Sequence, residues 1–139
     1  MDATLLEIIE KFAAQRHSET APEHSSFRRQ GLETPDGAYC MCDSTSYAFI
    51  QFARGEGYVG SLMQYCFHIF SNSEKGNPDP TLYCIGMHDT ATYRKAPWHM
   101  IVETPDFFID FTARQYHSKA CYPHIISKNI KSFAATEGA

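Results

Sequence analysis

The sequence has no apolar run near the roughly 20 residues that a membrane-spanning helix needs, no internal repeat and no low-complexity tract. A transmembrane span, a solenoid and a fibrous array are therefore not expected. Basic charge is also scarce: 12 Lys and Arg stand against 16 Asp and Glu, a formal net charge of −4. The electrostatic footprint of a general nucleic-acid binder is missing, and Arg28-Arg29 and Lys128–Lys131 are too sparse to supply one. The opening Met-Asp-Ala-Thr has neither the basic segment nor the apolar core of a secretory signal. Cys-x-x-Cys pairs and His-x₃-His pairs are absent too, so Cys40-x-Cys42 has no partner for a zinc site, and no metal or organic cofactor is expected.

What the chain does contain is an ordinary globular mixture. The hydrophobic share is 43% and the charged share 20%, and 10 Phe and 8 Tyr in 139 residues can fill one well-packed core. A single domain over residues 1–139 follows. The five cysteines, at 40, 42, 66, 84 and 121, form an odd set, whereas a disulfide-stapled secreted domain shows an even and denser one. Such usage points to maturation in a reducing compartment, with at least one thiol kept for chemistry; later export to another cell stays open.

Along the chain, Leu5, Ile8, Ile9 and Phe12 share one helical face over residues 4–14, opened by Thr4 with Glu7 three residues on, a capping-box pattern. Residues 15–36, polar and interrupted by Pro22 and Pro35, read as an extended loop or a poorly ordered arm. Asp43 or Ser44 is placed to cap a second helix running to about Arg54, with Tyr47, Phe49, Ile50 and Ala53 available for packing and Gly55, Gly57 and Gly60 ending it. Strands are predicted at Gln64–Phe70, Thr81–Met87, Trp98–Glu103 and Phe107–Thr112, with a loop at Ser71–Pro80. Residues 125–133 read as a last strand or a short helix. Two helices followed by strands on short turns predict an α+β fold, helices packed on a mostly antiparallel sheet.

The hairpin at 98–112 carries the chemistry. Alternation puts His99, Ile101 and Glu103 on one face and Phe108, Asp110 and Thr112 on the matching face of the returning strand. With Pro105 first in a two-residue turn, His99 falls opposite Thr112 and Asp110 is its diagonal neighbour; a turn one residue earlier sets the two directly opposite. Either register brings a carboxylate to an imidazole, which fixes the tautomer and leaves the second ring nitrogen as a base. Cys42 is the candidate nucleophile, because a helix start lowers a thiol pKa; Cys40 is its rival from the entering loop. The amides of Cys42 and Asp43 are candidate oxyanion donors. Trp98 is a candidate shield or groove residue, and His68 and His88 read as packed or surface side chains. Asp106, in the turn, is too exposed to replace Asp110.

A cysteine at a helix start, a histidine opening a strand, and the string Ile109-Asp110-Phe111-Thr112-Ala113-Arg114-Gln115-Tyr116 together resemble the papain-like Cys–His–Asp superfamily. The pattern is most similar to bacterial papain-fold toxin and effector domains, many of which deamidate glutamine in target proteins. The resemblance covers roughly residues 37–116 and is more specific from His99 onward. It implies Cys42 as nucleophile, His99 as general base and acid, and Asp110 as orienting group, in a papain-like fold. It also implies a protein substrate, an immunity or chaperone protein as partner, and synthesis in a bacterial cytoplasm before delivery by a secretion system. The glutamine that such enzymes place shortly before the cysteine has no clear counterpart: Gln30 lies twelve residues upstream. Gln115 is a substitute donor or, more simply, a structural residue. A cysteine protease or peptidoglycan amidase of the same fold, and a binding or immunity module that keeps only the shell, are the competing readings.

Overall fold

The structure is a computed structural model that describes residues 1–19, 30–68, 98–115 and 120–128, with the backbone alone for Phe67, His68 and Trp98. The predicted strand Thr81–Met87, the loop Ser71–Pro80, His88 and most of the chain after Ser127 lie outside the described residues. In chain order the elements are helix α1 (Ala3–Gln15), a single helical turn α2 (Pro35–Ala38), helix α3 (Cys42–Gly55), and strands β1 (Met63–His68), β2 (Trp98–Glu103), β3 (Phe107–Asp110) and β4 (His124–Ser127). Among the described residues the three strand pairings are antiparallel, in the spatial order β1-β2-β3-β4. This is the α+β arrangement of helices and antiparallel sheet that the sequence predicts.

Helix α1 forms where its apolar spacing places it, burying Leu5, Ile8, Ile9, Phe12 and Ala13. Its cap differs from expectation. Asp2, not Thr4, precedes the first turn, and its carboxylate accepts the Thr4 N–H at 2.8 Å; Asp is the stronger cap, and the helix starts one residue earlier, at Ala3. Phe12 sits at the centre of an aromatic cluster, with ring centroids 5.4 Å from Phe49, 5.5 Å from Phe52 and 4.9 Å from Phe111. One side chain thus joins α1, α3 and the segment after β3, with Val102 and Ile109 completing the core beneath.

Of the predicted loop or arm at 15–36, residues 20–29 lie outside the described residues, and residues 31–36 pack against the body of the fold. Leu32 is fully buried, Gly31 N–H donates to Ser18 Oγ, and Thr34 caps α2 by accepting the Gly37 N–H. A side chain at Gly37 would run into the Gly31 carbonyl, so glycine at 37 permits a close backbone approach there. Arg114 then ties this segment to the sheet side, donating to the Glu33 and Ala120 carbonyls at 2.8 Å each.

Helix α3 begins at Cys42 itself. Its N-cap is Met41, which makes no side-chain cap hydrogen bond, so neither Asp43 nor Ser44 caps it. The buried stripe is Thr45, Ser46, Phe49 and Ala53, while Tyr47 is 59% exposed; a period of 3.6 carries Tyr47 off the stripe that Ser46, Phe49 and Ala53 define. The entry into α3 is a tight turn. Met41 N–H donates to Ala38 O at 3.1 Å, with Tyr39 at φ −60°, ψ 128° and Cys40 at φ 61°. That is type II geometry, with a cysteine where glycine is the favoured residue.

Candidate active site

The β2–β3 hairpin fixes the first pair. Val102 lies opposite Ile109 and Glu103 opposite Phe108, and Thr104 closes a two-residue Pro105-Asp106 turn through its N–H to Phe107 O at 2.8 Å. This is the register in which Asp110 is the diagonal neighbour of His99. Across it, His99 Nε2 and Asp110 Oδ2 stand 2.7 Å apart, both side chains closed to solvent. Asp106, by contrast, is exposed.

The other carboxylate oxygen is held from behind. Thr112 donates its N–H to Asp110 Oδ1 at 2.9 Å and its hydroxyl at 3.3 Å, and the Thr112 hydroxyl in turn accepts from Gln115 Nε2 at 3.3 Å. The Asp-x-Thr-x-x-Gln string therefore folds into a buttress. Its strand ends at Asp110, and a 3-10 turn at Ala113–Gln115 brings the glutamine back beneath the threonine. Gln115 is 3% exposed, with its amide nitrogen committed to Thr112.

Helix α3 brings the sulfur. The Cys42 sulfur lies close enough to the His99 ring and to the backbone N–H of Met100 for both to lower the thiol pKa. With Nε2 held by Asp110 at 2.7 Å, Nδ1 is the nitrogen through which the ring can exchange a proton. Met100 lies beyond the two pairs that join β2 to β3, and its C=O accepts the Ser46 hydroxyl of α3 at 3.3 Å instead.

These contacts set the protonation states. Burial alone would lower the His99 pKa, but the charge and hydrogen bond of Asp110, aided by Cys42, raise it from 6.5 to about 10. For Cys42, burial pushes the thiol up. The hydrogen bond and charge of His99 and the Met100 N–H outweigh that and hold it below the ordinary thiol value, against some opposition from Asp110. Asp110 is likewise raised by burial, yet held down by His99, the Thr112 N–H and the charge of His124. The arrangement favours a thiolate beside an imidazolium.

Of the remaining candidates, Asp43 is exposed beside Cys42, and Gln64 Nε2 on β1 donates to its carboxylate at 3.1 Å and its carbonyl at 3.3 Å. Cys40 is exposed in the turn before α3, and Trp98 opens β2. Two residues escaped the sequence reading. His124, 6% exposed, is the cross-strand partner of Asp110 in the β3–β4 pair; seeing it requires the position of β4. Gln64 reaches the nucleophile's helix only through the β1–α3 packing. Among the described residues no three His, Cys, Asp or Glu side chains gather as a metal site would need, and no helix is long and apolar enough to cross a membrane.

Compared with protein-family models, curated proteins and solved structures, the chain finds no match in any of the three.

Proposed function

We propose that the chain is a small papain-like cysteine hydrolase that acts on an amide carbonyl, a protein glutamine deamidase of the toxin or secreted-effector kind. One observation carries this reading: half-buried Cys42 stands beside a fully buried, hydrogen-bonded His99–Asp110 pair, with the thiol pKa lowered and the imidazole pKa raised. A cysteine kept only for packing is an inert thiol; this one is paired with a base that is itself oriented by a carboxylate, the arrangement that nucleophilic catalysis requires.

The chemistry runs in two halves. The Cys42 thiolate attacks the carbonyl carbon of a glutamine side chain, and the developing oxyanion lies at the start of α3, where backbone N–H groups of the first turn lack a side-chain cap. His99 transfers its Nδ1 proton to the departing nitrogen, releasing ammonia and leaving a thioester. In the second half His99 accepts a proton from water, which attacks the thioester to give glutamate and return the sulfur. Asp110 holds the ring through Nε2 in both halves. Proton transfer by such a positioned group accounts for roughly 10²–10⁴ of the rate.

No cofactor enters this scheme. The substrate is a glutamine-bearing protein, an immunity or chaperone protein is the expected partner, and delivery by a secretion system from a bacterial cytoplasm is the expected route. Intact-mass spectrometry of a candidate target tests the reaction: deamidation adds about one dalton without cutting the chain, through the thioester route. Chain cleavage instead would assign the same triad to a protease. An iodoacetamide reaction at Cys42 no faster than at an ordinary thiol would point to a binding module.

A further inference from the structure

Ser46 lies one helical turn beyond Cys42, is 4% exposed, and places its hydroxyl 2.7 Å from Cys42 O and 3.3 Å from Met100 O. The first contact is ordinary: a helical serine commonly donates to the carbonyl four residues back. The second is not, because Met100 belongs to β2 and is the neighbour of His99. Both acceptors are carbonyls and the hydroxyl has one proton, so that proton is shared between the nucleophile's own peptide and the strand that carries the base.

The Met100 carbonyl accepts the Ser46 hydroxyl at 3.3 Å, and the Met100 N–H lies near enough to the Cys42 sulfur to lower its pKa. In an extended strand the N–H and C=O of one residue point to the same side, so the first turn of α3 occupies the edge that a further strand would pair with. The Ser46 hydroxyl makes the hydrogen bond that joins this turn to β2.

We infer that Ser46 is a positioning residue for the Cys42–His99 pair: its hydroxyl docks the start of α3 on the Met100 carbonyl and so sets the distance between thiol and imidazole. The inference rests on the proposed role of Cys42 and deepens it. Thr45 provides the internal control. It is the adjacent residue, also buried, and its hydroxyl has no partner among the described residues.

The experiment is the pH dependence of Cys42 alkylation by iodoacetamide, read by peptide mass spectrometry on the full chain, in the parent, Ser46→Ala, Ser46→Thr and Thr45→Val, with circular dichroism to check folding. In Ser46→Ala the thiolate titration is expected to move up toward the ordinary thiol range and the neutral-pH rate to fall about tenfold, since small misplacements of a reacting group are costly. Ser46→Thr restores the profile and Thr45→Val leaves it unchanged. An unaltered profile in Ser46→Ala overturns the inference while leaving the hydrolase reading intact. So does an equal change in Thr45→Val, or a Ser46→Ala chain that does not fold, since each assigns the serine to general packing. If the added methyl keeps Ser46→Thr from folding, the comparison of Ser46→Ala with Thr45→Val decides alone. A parent whose Cys42 titrates as an ordinary thiol defeats the hydrolase reading itself, and the inference with it.

Discussion

His99 Nε2 meets Asp110 Oδ2 at 2.7 Å with neither side chain reachable by water. A pair this deeply buried is asymmetric in its energetics: intact, it balances its own desolvation, whereas losing one member strands the other. Asp110→Ala is therefore expected to destabilise the chain by about 3–5 kcal/mol and to abolish the raised imidazole pKa. Asp110→Asn keeps an oxygen that can accept the Nε2 proton, so it should cost less stability while still losing activity, because the charge that favours the imidazolium is gone. Urea denaturation midpoints and single-turnover hydrolysis of a glutamine substrate separate the two effects.

The same pair gives stability a defined pH window. His99 has its pKa raised from 6.5 to about 10, so its contribution is complete below 6.5 and is lost as pH rises through about 10. Asp110 is held below 3.8, so its contribution is complete above that value and is lost as pH falls through the lowered one. Cys42, also lowered, runs opposite to His99, its contribution growing as pH rises toward 9.0. Replacing Cys42 by Ser removes that opposing titration. In Cys42→Ser, the urea midpoint should be flat between about pH 4 and 6.5 and decline steadily toward pH 10; the decline should be absent when Asp110→Asn is added.

How much of this site could be read from the sequence depended on the kind of contact involved. The turn at Thr104-Pro105-Asp106 leaves two hairpin registers, either of which brings His99 and Asp110 together, and the structure has the one with Pro105 first in the turn. Local periodicity also located α1 and α3. The docking of α3 onto β2 was not legible, since it runs through the backbone of Met100, and a main-chain contact leaves no residue pattern. Thr112 and Gln115 were visible as parts of a string, but their task of holding Asp110 Oδ1 depends on a 3-10 turn that propensity does not announce. Residues 15–36 read as an extended loop or arm because polar residues and two prolines dominate there; within that span Leu32, an isolated apolar residue that makes no periodic pattern, is fully buried.

Cys40 offers a test that separates backbone from chemistry. Its φ of 61° places a side chain in the left-handed region, at the turn position where glycine is favoured. Glycine there relieves a penalty of roughly 1–2 kcal/mol and takes back part of it as unfolded-state entropy. Cys40→Gly is thus expected to raise the melting temperature modestly and to keep full activity, because Cys42 and not Cys40 contacts His99. Loss of activity in a folded Cys40→Gly chain would move the nucleophile to residue 40.

Phe12 links the stability of the fold to the alignment of the site. Its ring lies 4.9 Å from Phe111, the residue after Asp110, and 5.4 Å from Phe49, two helical turns beyond Cys42. Those two rings are themselves 5.0 Å apart, so Phe12 wedges together the element carrying the nucleophile and the segment carrying the orienting carboxylate. Truncating it leaves a cavity bordered by three aromatic rings that have little freedom to collapse inward, and Phe12→Ala should cost about 3–5 kcal/mol. Phe12→Leu, which fills part of that space, should cost roughly 1–2 kcal/mol and keep the Cys42 alkylation profile of the parent. Chemical denaturation gives the first quantity and iodoacetamide labelling at neutral pH the second. A Phe12→Ala chain as stable as the parent would mean that α1 is not clamped to α3 and the sheet through this ring.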